Sequence, residues 1–359
     1  PNYEAIFHYF SLKNIPAPLT AFEGIHSLLP GEMIQFSKGK LVRDRWWALQ
    51  FKEKYVSNPN YYQDNILKLL EKSINIRMQC DVPYGACLSG GLDSSLVVSL
   101  MSRFATKPLT TFSLGYEDEL KNKEADLFYA RKVSKIFNTN HHEYIMSSKE
   151  LVEDVVSVIK AFDQPFSGTI STYFLSKLIK KHVKVAFSGD GADELFGSYL
   201  SHRLAQPMHH LSSLIKKISN GNALSKDEKI LLAPIDLNFL TNLYEKSEGD
   251  EEMWRYNLYL QNDPEKNDLL SQCFLDEIPD ISTRSLVKKN FSSLTSVDPL
   301  NRILEMEWRT QLPDQVLAFA DSLSMAHAVE MRSPFLDYHL VEFAATIPGE
   351  FKICKGQVK

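Results

Sequence analysis

The sequence is poor in cysteine, glycine and proline, and positive charge is not in excess. The four cysteines among 359 residues form no Cys-x-x-Cys pair and do not suggest a disulfide framework, so we expect a cytoplasmic protein. The 15 glycines and 16 prolines are too few for a disordered or fibrous chain. With 40 Lys and Arg residues against 45 Asp and Glu residues, the net charge is −5, which argues against a general nucleic-acid binder.

Long apolar runs and a targeting segment are also missing. No apolar run approaches the roughly 18 residues of a membrane span, and no basic stretch leads into an apolar one at the start. Because the sequence begins at Pro1 instead of Met and ends at Lys359 without a closing element, we expect a fragment that is cut at both ends.

Short apolar runs alternate with helical patterns from about residue 57 to residue 203. The predicted strands are 84–88, 109–114, 142–146 and 183–187. Strands that alternate with helices predict an α/β fold, in which a parallel sheet has helices on both faces. Past about residue 203 the strand patterns fade, so residues 204–359 are predicted to be largely helical.

The first part of the chain has a different pattern. Residues 32–46 roughly alternate apolar and polar side chains on either side of Ser37–Lys40, which predicts a β-hairpin. The turn cluster Ser57–Asn60 is the best candidate for a domain boundary. We therefore divide the chain into residues 1–56 and residues 57–359, the second with an α/β core up to about residue 203.

A glycine-rich turn, Ser89–Ser95, stands where the first predicted strand of the α/β core ends and a helix begins. Ligands of open parallel sheets bind at such strand ends, where glycines admit an anion and the helix start supplies N–H groups. The turn therefore predicts a phosphate-binding loop, although it lacks the lysine motif of a Walker loop. Asp93 fits there if it holds Mg²⁺ that bridges the phosphates; otherwise it is a helix N-cap in a tight turn.

A second glycine-rich turn, Ser188–Glu194, follows the last predicted strand and carries three carboxylates. Such crowding is costly unless a cation or a proton relieves it. The alternative is an acidic helix start, where negative side chains are favoured by the helix dipole. Two acidic glycine-rich turns after strands of one sheet favour a shared ligand site.

The two turns, with three further segments, carry a family resemblance. The first turn, Ser-Gly-Gly-Leu-Asp-Ser-Ser, resembles the pyrophosphate-binding loop of N-type ATP pyrophosphatases, which implies the adenine nucleotide alpha hydrolase-like (PP-loop) fold. The rest resembles asparagine synthetase of the glutamine-hydrolysing type, and the matching segments are Pro16–Gly31, Asn138–Glu143, Phe187–Tyr199 and Ser324–Asp337. Pro16–Gly31 is similar to the end of that family's glutaminase domain, so residues 1–56 are interpreted as its remnant.

The resemblance implies a reaction with ATP and Mg²⁺. ATP activates the side-chain carboxylate of aspartate as an acyl-adenylate, pyrophosphate is released, and ammonia attacks to give asparagine and AMP. The positions that the resemblance assigns to pyrophosphate are Ser89, Gly90, Gly91, Asp93, Ser94 and Ser95. Those assigned to AMP are Leu88, Leu114, Ser188 and Gly189, and the proposed Mg²⁺ ligands are Asp93 and Asp193.

Two residues are expected to act in catalysis. Asp190 matches an acidic residue that takes a proton from the attacking ammonia, and a low pKa, kept by a nearby metal, would suit that base. Lys359 matches a lysine that stabilises charge at the adenylate, although its position also fits a solvated tail. Glu330 and Arg332 are expected to pair as a scaffold on or near a helix end, with a substrate-facing role left open.

The sequence departs from the family pattern at several positions, and these departures leave alternatives open. The family's glutaminase domain uses an N-terminal cysteine, and no cysteine lies near Pro1, so ammonia is expected to come from a missing glutaminase domain. Ser322 stands where the family more often has a basic residue, which leaves open a β-lactam synthetase-like or other amide ligase acting on a sugar acid, a peptide or an antibiotic precursor. A degenerate nucleotide-binding module is the third interpretation, and a homodimer is among the expected assemblies. His141 and His142 are expected to make structural contacts instead of binding a metal.

Overall fold

A computed structural model of the protein describes residues 1–117, 124–168, 170–232, 235–248, 250 and 252–354. Its strands are β1 (Glu32–Ser37), β2 (Lys40–Arg45), β3 (Tyr84–Cys87), β4 (Thr110–Tyr116), β5 (Asn140–Met146), β6 (Val185–Phe187) and β7 (Glu330–Arg332). The α-helices are α1 (Tyr3–Leu12), α2 (Pro59–Arg77), α3 (Leu92–Phe104), α4 (Glu124–Ile136), α5 (Ser148–Ile159), α6 (Ser171–Ile179), α7 (Ala192–Phe196), α8 (Leu200–Ser219), α9 (Lys226–Leu232), α10 (Leu237–Lys246), α11 (Asp263–Leu269), α12 (Gln272–Asp276), α13 (Thr283–Ser292), α14 (Pro299–Arg309), α15 (Ala318–Met325), α16 (Tyr338–Ala344) and α17 (Gly349–Lys352).

A parallel five-stranded sheet in the order β5-β4-β3-β6-β7 forms the centre of the α/β core. The chain builds outward from β3 through β4 to β5, then returns to the other side of β3 with β6. Because crossovers between parallel strands are right-handed, this reversal places the connecting helices on opposite faces of the sheet. The sheet confirms the predicted α/β fold and the four predicted strands, which differ from the observed bounds by one or two residues.

The local sequence accounts for where the helices begin. Asn58 caps α2 by accepting a hydrogen bond from the Asn60 amide at 3.1 Å, with Pro59 in the first helical turn, so the predicted turn cluster is a helix start. Ser147 and Glu150 form a reciprocal capping box at the start of α5. These polar groups satisfy helix amides that have no partner within the helix, while the apolar faces pack into the core.

The strand β7 lies in the region beyond about residue 203, where the strand patterns fade, and it corrects the expected position of Glu330 and Arg332 at a helix end. Glu330, Met331 and Arg332 pair in parallel with β6, so Glu330 and Arg332 lie on an edge strand and not at a helix end. Their side chains share one face of the strand, where Arg332 Nε donates to Glu330 Oε1 at 2.7 Å. A three-residue edge strand with charge at both ends has neither an apolar run nor a long alternation, which is why the pattern missed it. The rest of the region from 204 to 350 is mainly helical, as predicted.

The predicted hairpin is confirmed as β1 and β2, which pair antiparallel from Glu32 with Arg45 to Ser37 with Lys40. Nearly all of its residues are exposed on both faces. By contrast, α1 packs on the helical part, and the Leu260 amide donates to the Ser11 carbonyl at 3.1 Å. Within the described residues, no helix is both long and apolar enough to span a membrane.

Candidate active site

The two glycine-rich turns lie side by side at the carboxyl end of the sheet. We call Ser89–Ser95 the first turn and Ser188–Glu194 the second turn; they follow the adjacent strands β3 and β6, in which Ala86 pairs with Phe187. The direction of strand addition reverses between β3 and β6. This position is the topological switch point, where doubly wound sheets form a ligand-binding crevice.

The first turn is held by hydrogen bonds among its own serines. The Ser89 amide donates to Ser94 Oγ at 3.2 Å, and Ser94 Oγ donates to the Gly91 carbonyl at 3.2 Å. The α3 helix then begins after Gly91, which offers no side-chain acceptor to the first helical amides. An anion at this helix start would therefore meet N–H groups without a competing side-chain cap.

Two glycines are required by close approaches of the backbone. A Cβ on Gly189 would lie 3.1 Å from Asp93 Cβ and 3.2 Å from the Ser94 amide nitrogen, so the second turn packs directly against the start of α3. Gly90 has φ of +81° and lies so close to α4 that a Cβ would stand 2.5 Å from the Asp126 carbonyl oxygen. The structure therefore brings the two predicted motifs into contact through Gly189, while Gly90 fits the first turn against α4.

Other predicted positions lie along the same strand ends. Leu88 is fully buried, and its amide donates to the Phe112 carbonyl at 2.7 Å, which ties the residue before the first turn to β4. Leu114 lies near the end of β4 and packs, partly buried, in the cluster around Phe174 and Leu323. Ser95 Oγ is buried and has no hydrogen-bond partner among the described residues. An unsatisfied hydroxyl at the end of the first turn fits a site that gains a polar ligand.

In the second turn, a serine chain joins β6 to the segment after β7. Ser188 Oγ donates to Asp190 Oδ2 at 2.8 Å and lies 2.9 Å from Ser333 Oγ, so Ser333 supplies the proton of that second bond. Burial raises the pKa of Asp190, and the negative charge of Asp193 adds to this effect. The protein itself thus raises this pKa by desolvating the carboxyl group, whereas the low pKa expected from the sequence depends on a nearby metal and stays a prediction.

Asp193 is the second residue of the helix α7. Ser198, just after that helix, donates from its Oγ to Asp193 Oδ1 at 2.5 Å. Among the described residues, no group of three or more His, Cys, Asp or Glu side chains is arranged to hold a metal by itself. Mg²⁺, however, is usually bound by one or two carboxylates together with substrate phosphates. The two predicted carboxylates, Asp93 and Asp193, therefore have the oxygen chemistry that Mg²⁺ with bound phosphates requires.

Within the described part of the chain, the remaining predicted residues have partners outside the two turns. His141 Nδ1 lies 2.9 Å from Thr111 Oγ1, and the His142 ring stacks on His182 with centroids 3.9 Å apart. Ser322 is half-buried in α15. Lys359 lies outside the described residues.

A cavity of about 430 Å³ adjoins the second turn. Its lining residues are Arg77, Leu317, Ala320, Asp321, Met331, Arg332, Ser333 and Leu336. Ser333 contacts Ser188, and a Cβ on Gly191 would stand 2.3 Å from Leu336 Cδ2, so the cavity shares its wall with the second turn. The sequence prediction missed Ser333 and Leu336, because only the pairing of β7 brings them to this end of the sheet.

Curated relatives match nearly the whole chain. Glutamine-hydrolyzing asparagine synthetase 1 of Bacillus subtilis is 28% identical over 372 residues, which cover 99% of this chain and 55% of the relative. A putative glutamine-hydrolyzing asparagine synthetase of Mycobacterium bovis is 28% identical over 364 residues, which cover 100% of this chain and 54% of the relative. The chain thus spans about half the length of these relatives.

Among solved structures, an NH3-dependent NAD synthetase from Campylobacter jejuni is similar at 18% identity and a TM-score of 0.27, covering 52% of this chain and 94% of that one. With so low a TM-score, the fold assignment depends on the strand order described above. The family profile described as asparagine synthase matches residues 65–359, well over half of the chain. The chain therefore belongs to the asparagine synthase family.

Proposed function

We propose that the protein is an ATP-dependent amide ligase that converts aspartate to asparagine. The aspartate side-chain carboxylate attacks the α-phosphorus of ATP, pyrophosphate leaves, and an acyl-adenylate forms. Ammonia then attacks the acyl carbon, loses a proton, and expels AMP. The observation that carries the proposal is the contact of Gly189 with Asp93 and Ser94, which joins the two turns into one crevice at the switch point.

The first turn supplies the pyrophosphate site in this proposal. Its backbone amides and the hydroxyl groups of Ser89, Ser94 and Ser95 bind phosphate oxygens, while Gly90 and Gly91 admit the phosphates close to the chain. Asp93 and Asp193 would hold Mg²⁺, which would supply charge neutralisation for the leaving pyrophosphate. Leu88, Leu114, Ser188 and Gly189 line the place of AMP.

The second turn supplies the base. Asp190 accepts the proton of the attacking ammonia, and a raised pKa makes a carboxylate a stronger base than an exposed aspartate. Its hydrogen bond from Ser188 orients the carboxylate within the turn. Lys359 is proposed, from the family resemblance, to stabilise negative charge at the adenylate.

The cavity beside the second turn is our candidate for the acid substrate. Arg77, which pairs with Asp337, and Arg332, which pairs with Glu330, bring guanidinium groups to its wall, and Asp321 brings a carboxylate. Guanidinium donors left over from these pairs suit carboxylates, and Asp321 suits an ammonium group, the charges that aspartate carries. The same cavity keeps the second candidate open, an amide ligase acting on another carboxylic acid, because adenylation requires only the two turns.

Ammonia is proposed to come from a glutaminase domain of which residues 1–56 are the closing part. Exposed apolar side chains on both faces of the hairpin, among them Phe36 at 72%, support a missing partner surface. An isolated two-stranded sheet is marginal in water, so this surface gains stability when it is covered. The division at residue 56, the homodimer and the cytoplasmic location stay predictions.

The test is the formation of AMP and pyrophosphate from ATP by the purified chain, with ammonium and a panel of carboxylic acids. We expect ammonia-dependent asparagine formation with aspartate and no product from glutamine. The Asp93→Asn variant is expected to lose Mg·ATP binding, while Asp81→Asn, an exposed aspartate before β3, serves as the matched control. Turnover with a different acid alone would support the second candidate, and unchanged Mg·ATP affinity in Asp93→Asn would support a degenerate module.

A further inference from the structure

The segment that follows α7 is tied to a histidine on the next helix. Ser198, which donates to Asp193 Oδ1, and Tyr199 both direct their backbone amides at His202 Nδ1, at 2.9 and 3.2 Å. His202 itself is buried and is the third residue of the helix α8. One imidazole nitrogen therefore holds the backbone from which the Ser198 hydroxyl reaches Asp193.

These contacts fix the tautomer of His202. Because Nδ1 accepts from two amides, the ring proton is on Nε2. Nε2 then donates to Glu307 Oε2, which lies 2.7 Å away on α14. The ring is thus held at both nitrogens, and its orientation is determined by groups on two different elements.

Glu307 provides a rigid anchor for this arrangement. It is 1% exposed, and its Oε1 accepts from Ser201 Oγ at 2.7 Å and from Arg255 Nη2 at 3.0 Å. Burial alone would raise the pKa of Glu307, but the charge of Arg255 and the hydrogen bonds from His202 and Ser201 outweigh it and lower that pKa well below its usual range. Glu307 therefore stays ionised and keeps all its donors at neutral pH.

We propose that His202 is a positioning residue that sets the orientation of the Asp193 carboxylate through Ser198. The inference rests on the proposed role of Asp193 as a ligand of Mg²⁺ that accompanies ATP. A carboxylate that accepts a short hydrogen bond has less rotational freedom, so less order is lost when it binds a cation. His202 acts through the backbone of Ser198 and Tyr199, and it is anchored in turn by Glu307.

Two substitutions of His202 separate its two contacts. In His202→Gln the side-chain amide reaches the Nε2 position and keeps a donor for Glu307, but the acceptor for the two backbone amides is lost. In His202→Asn the side-chain oxygen takes the Nδ1 position and keeps that acceptor, but the contact with Glu307 is lost. Only the first variant is expected to release the segment that carries Ser198.

The probe is Mn²⁺, whose free concentration is followed by electron paramagnetic resonance in the presence of the full chain and ATP. One hydrogen bond corresponds to an affinity change of about two- to tenfold, so we expect Ser198→Ala and His202→Gln to weaken Mn²⁺ binding by that factor. His202→Asn should keep most of the Mn²⁺ affinity while its thermal midpoint falls. Ser201→Ala is the matched control, because it removes a serine bond to Glu307 and leaves Ser198 in place.

A double variant tests whether His202 acts through Ser198. If it does, adding His202→Gln to Ser198→Ala will weaken Mn²⁺ binding no further than Ser198→Ala alone. Independent effects that multiply would overturn the inference. So would a wild-type Mn²⁺ affinity in both single variants, with Ser198→Ala keeping the test valid if His202→Gln does not fold.

The Asp193→Asn variant separates this inference from the proposed function. Weaker Mn²⁺ binding in Asp193→Asn, together with normal binding in Ser198→Ala and His202→Gln, would refute only the positioning role. Unchanged Mn²⁺ binding in Asp193→Asn would refute the metal role of Asp193, and the positioning role with it.

Discussion

Replacing Gly90 by alanine isolates the close approach on which the first turn depends. Gly90 has φ of +81°, and a Cβ there would lie 2.5 Å from the Asp126 carbonyl oxygen and 2.7 Å from the Ala130 amide nitrogen of α4. Gly221 has φ of +73° with nothing within 4 Å of its Cβ position, so Gly221→Ala is a matched control. Both variants carry the strain of a left-handed alanine, and only Gly90→Ala meets backbone atoms.

The expected magnitudes follow from these two contributions. A left-handed alanine costs about 1–2 kcal/mol of the free energy of unfolding, and this is the whole effect expected for Gly221→Ala. Pushing backbone atoms of α4 aside costs about 1–3 kcal/mol more, so Gly90→Ala should lose about 2–5 kcal/mol in total. The shifted turn should also weaken ATP binding, whereas Gly221 lies in a loop after α8, away from both turns.

Urea unfolding followed by circular dichroism measures the stability of both variants, and isothermal titration calorimetry measures their ATP affinity. A Gly90→Ala variant no less stable than Gly221→Ala would refute the close approach to α4. A stability loss without any change in ATP affinity would refute the placement of phosphates at the first turn.

Three further predictions concern the buried anchor and the hairpin. Glu307→Gln should cost about 3–5 kcal/mol of the free energy of unfolding, because it leaves Arg255 in a broken buried ion pair; an equal loss in Ser201→Ala would argue against that cause. Since the pKa of Glu307 is lowered from 4.5 to about 2, its contribution to stability is present above pH 4.5 and lost as the pH falls toward 2, so the urea midpoint should fall over that window less steeply in Glu307→Gln. Phe36→Lys on the exposed hairpin should leave the thermal midpoint of the chain unchanged in differential scanning calorimetry, because that side chain is 72% exposed and has little packing that unfolding would disrupt; a midpoint that falls by several degrees would argue against an uncovered hairpin.

The parts of the fold that follow local rules could be predicted from the sequence. The strand ending at Cys87 has an apolar pattern, a glycine-rich turn and a helix directly after it, and the second turn after Phe187 repeats this order. Hydrophobic periodicity and glycine placement determine structure over a few residues, so both can be recognised in the sequence without knowing the rest of the fold. They sufficed to place both turns at the same end of one sheet.

The features that could not be predicted from the sequence depend on pairing between distant segments and on burial in the folded protein. The strand Glu330–Arg332 has charged ends and becomes a strand only by pairing with β6. His202 reads as an ordinary helix residue, and its role emerges only when α8 and α14 bring Glu307 to within 2.7 Å of it. The raised pKa of Asp190 likewise comes from the protein packed around it, which no spacing of residues reveals.

The bond between Ser188 and Ser333 has a consequence for synthesis of the protein. Its two partners are 145 positions apart in the chain, and translation proceeds at about 5–20 residues per second. The first turn, by contrast, is completed by serines only five positions apart. A ribosome-bound chain can therefore form the first turn early, but for many seconds the second turn has no serine partner from the segment after β7. Stalled or prematurely released chains should accordingly expose an unfinished sheet edge, a natural target for chaperones and proteases.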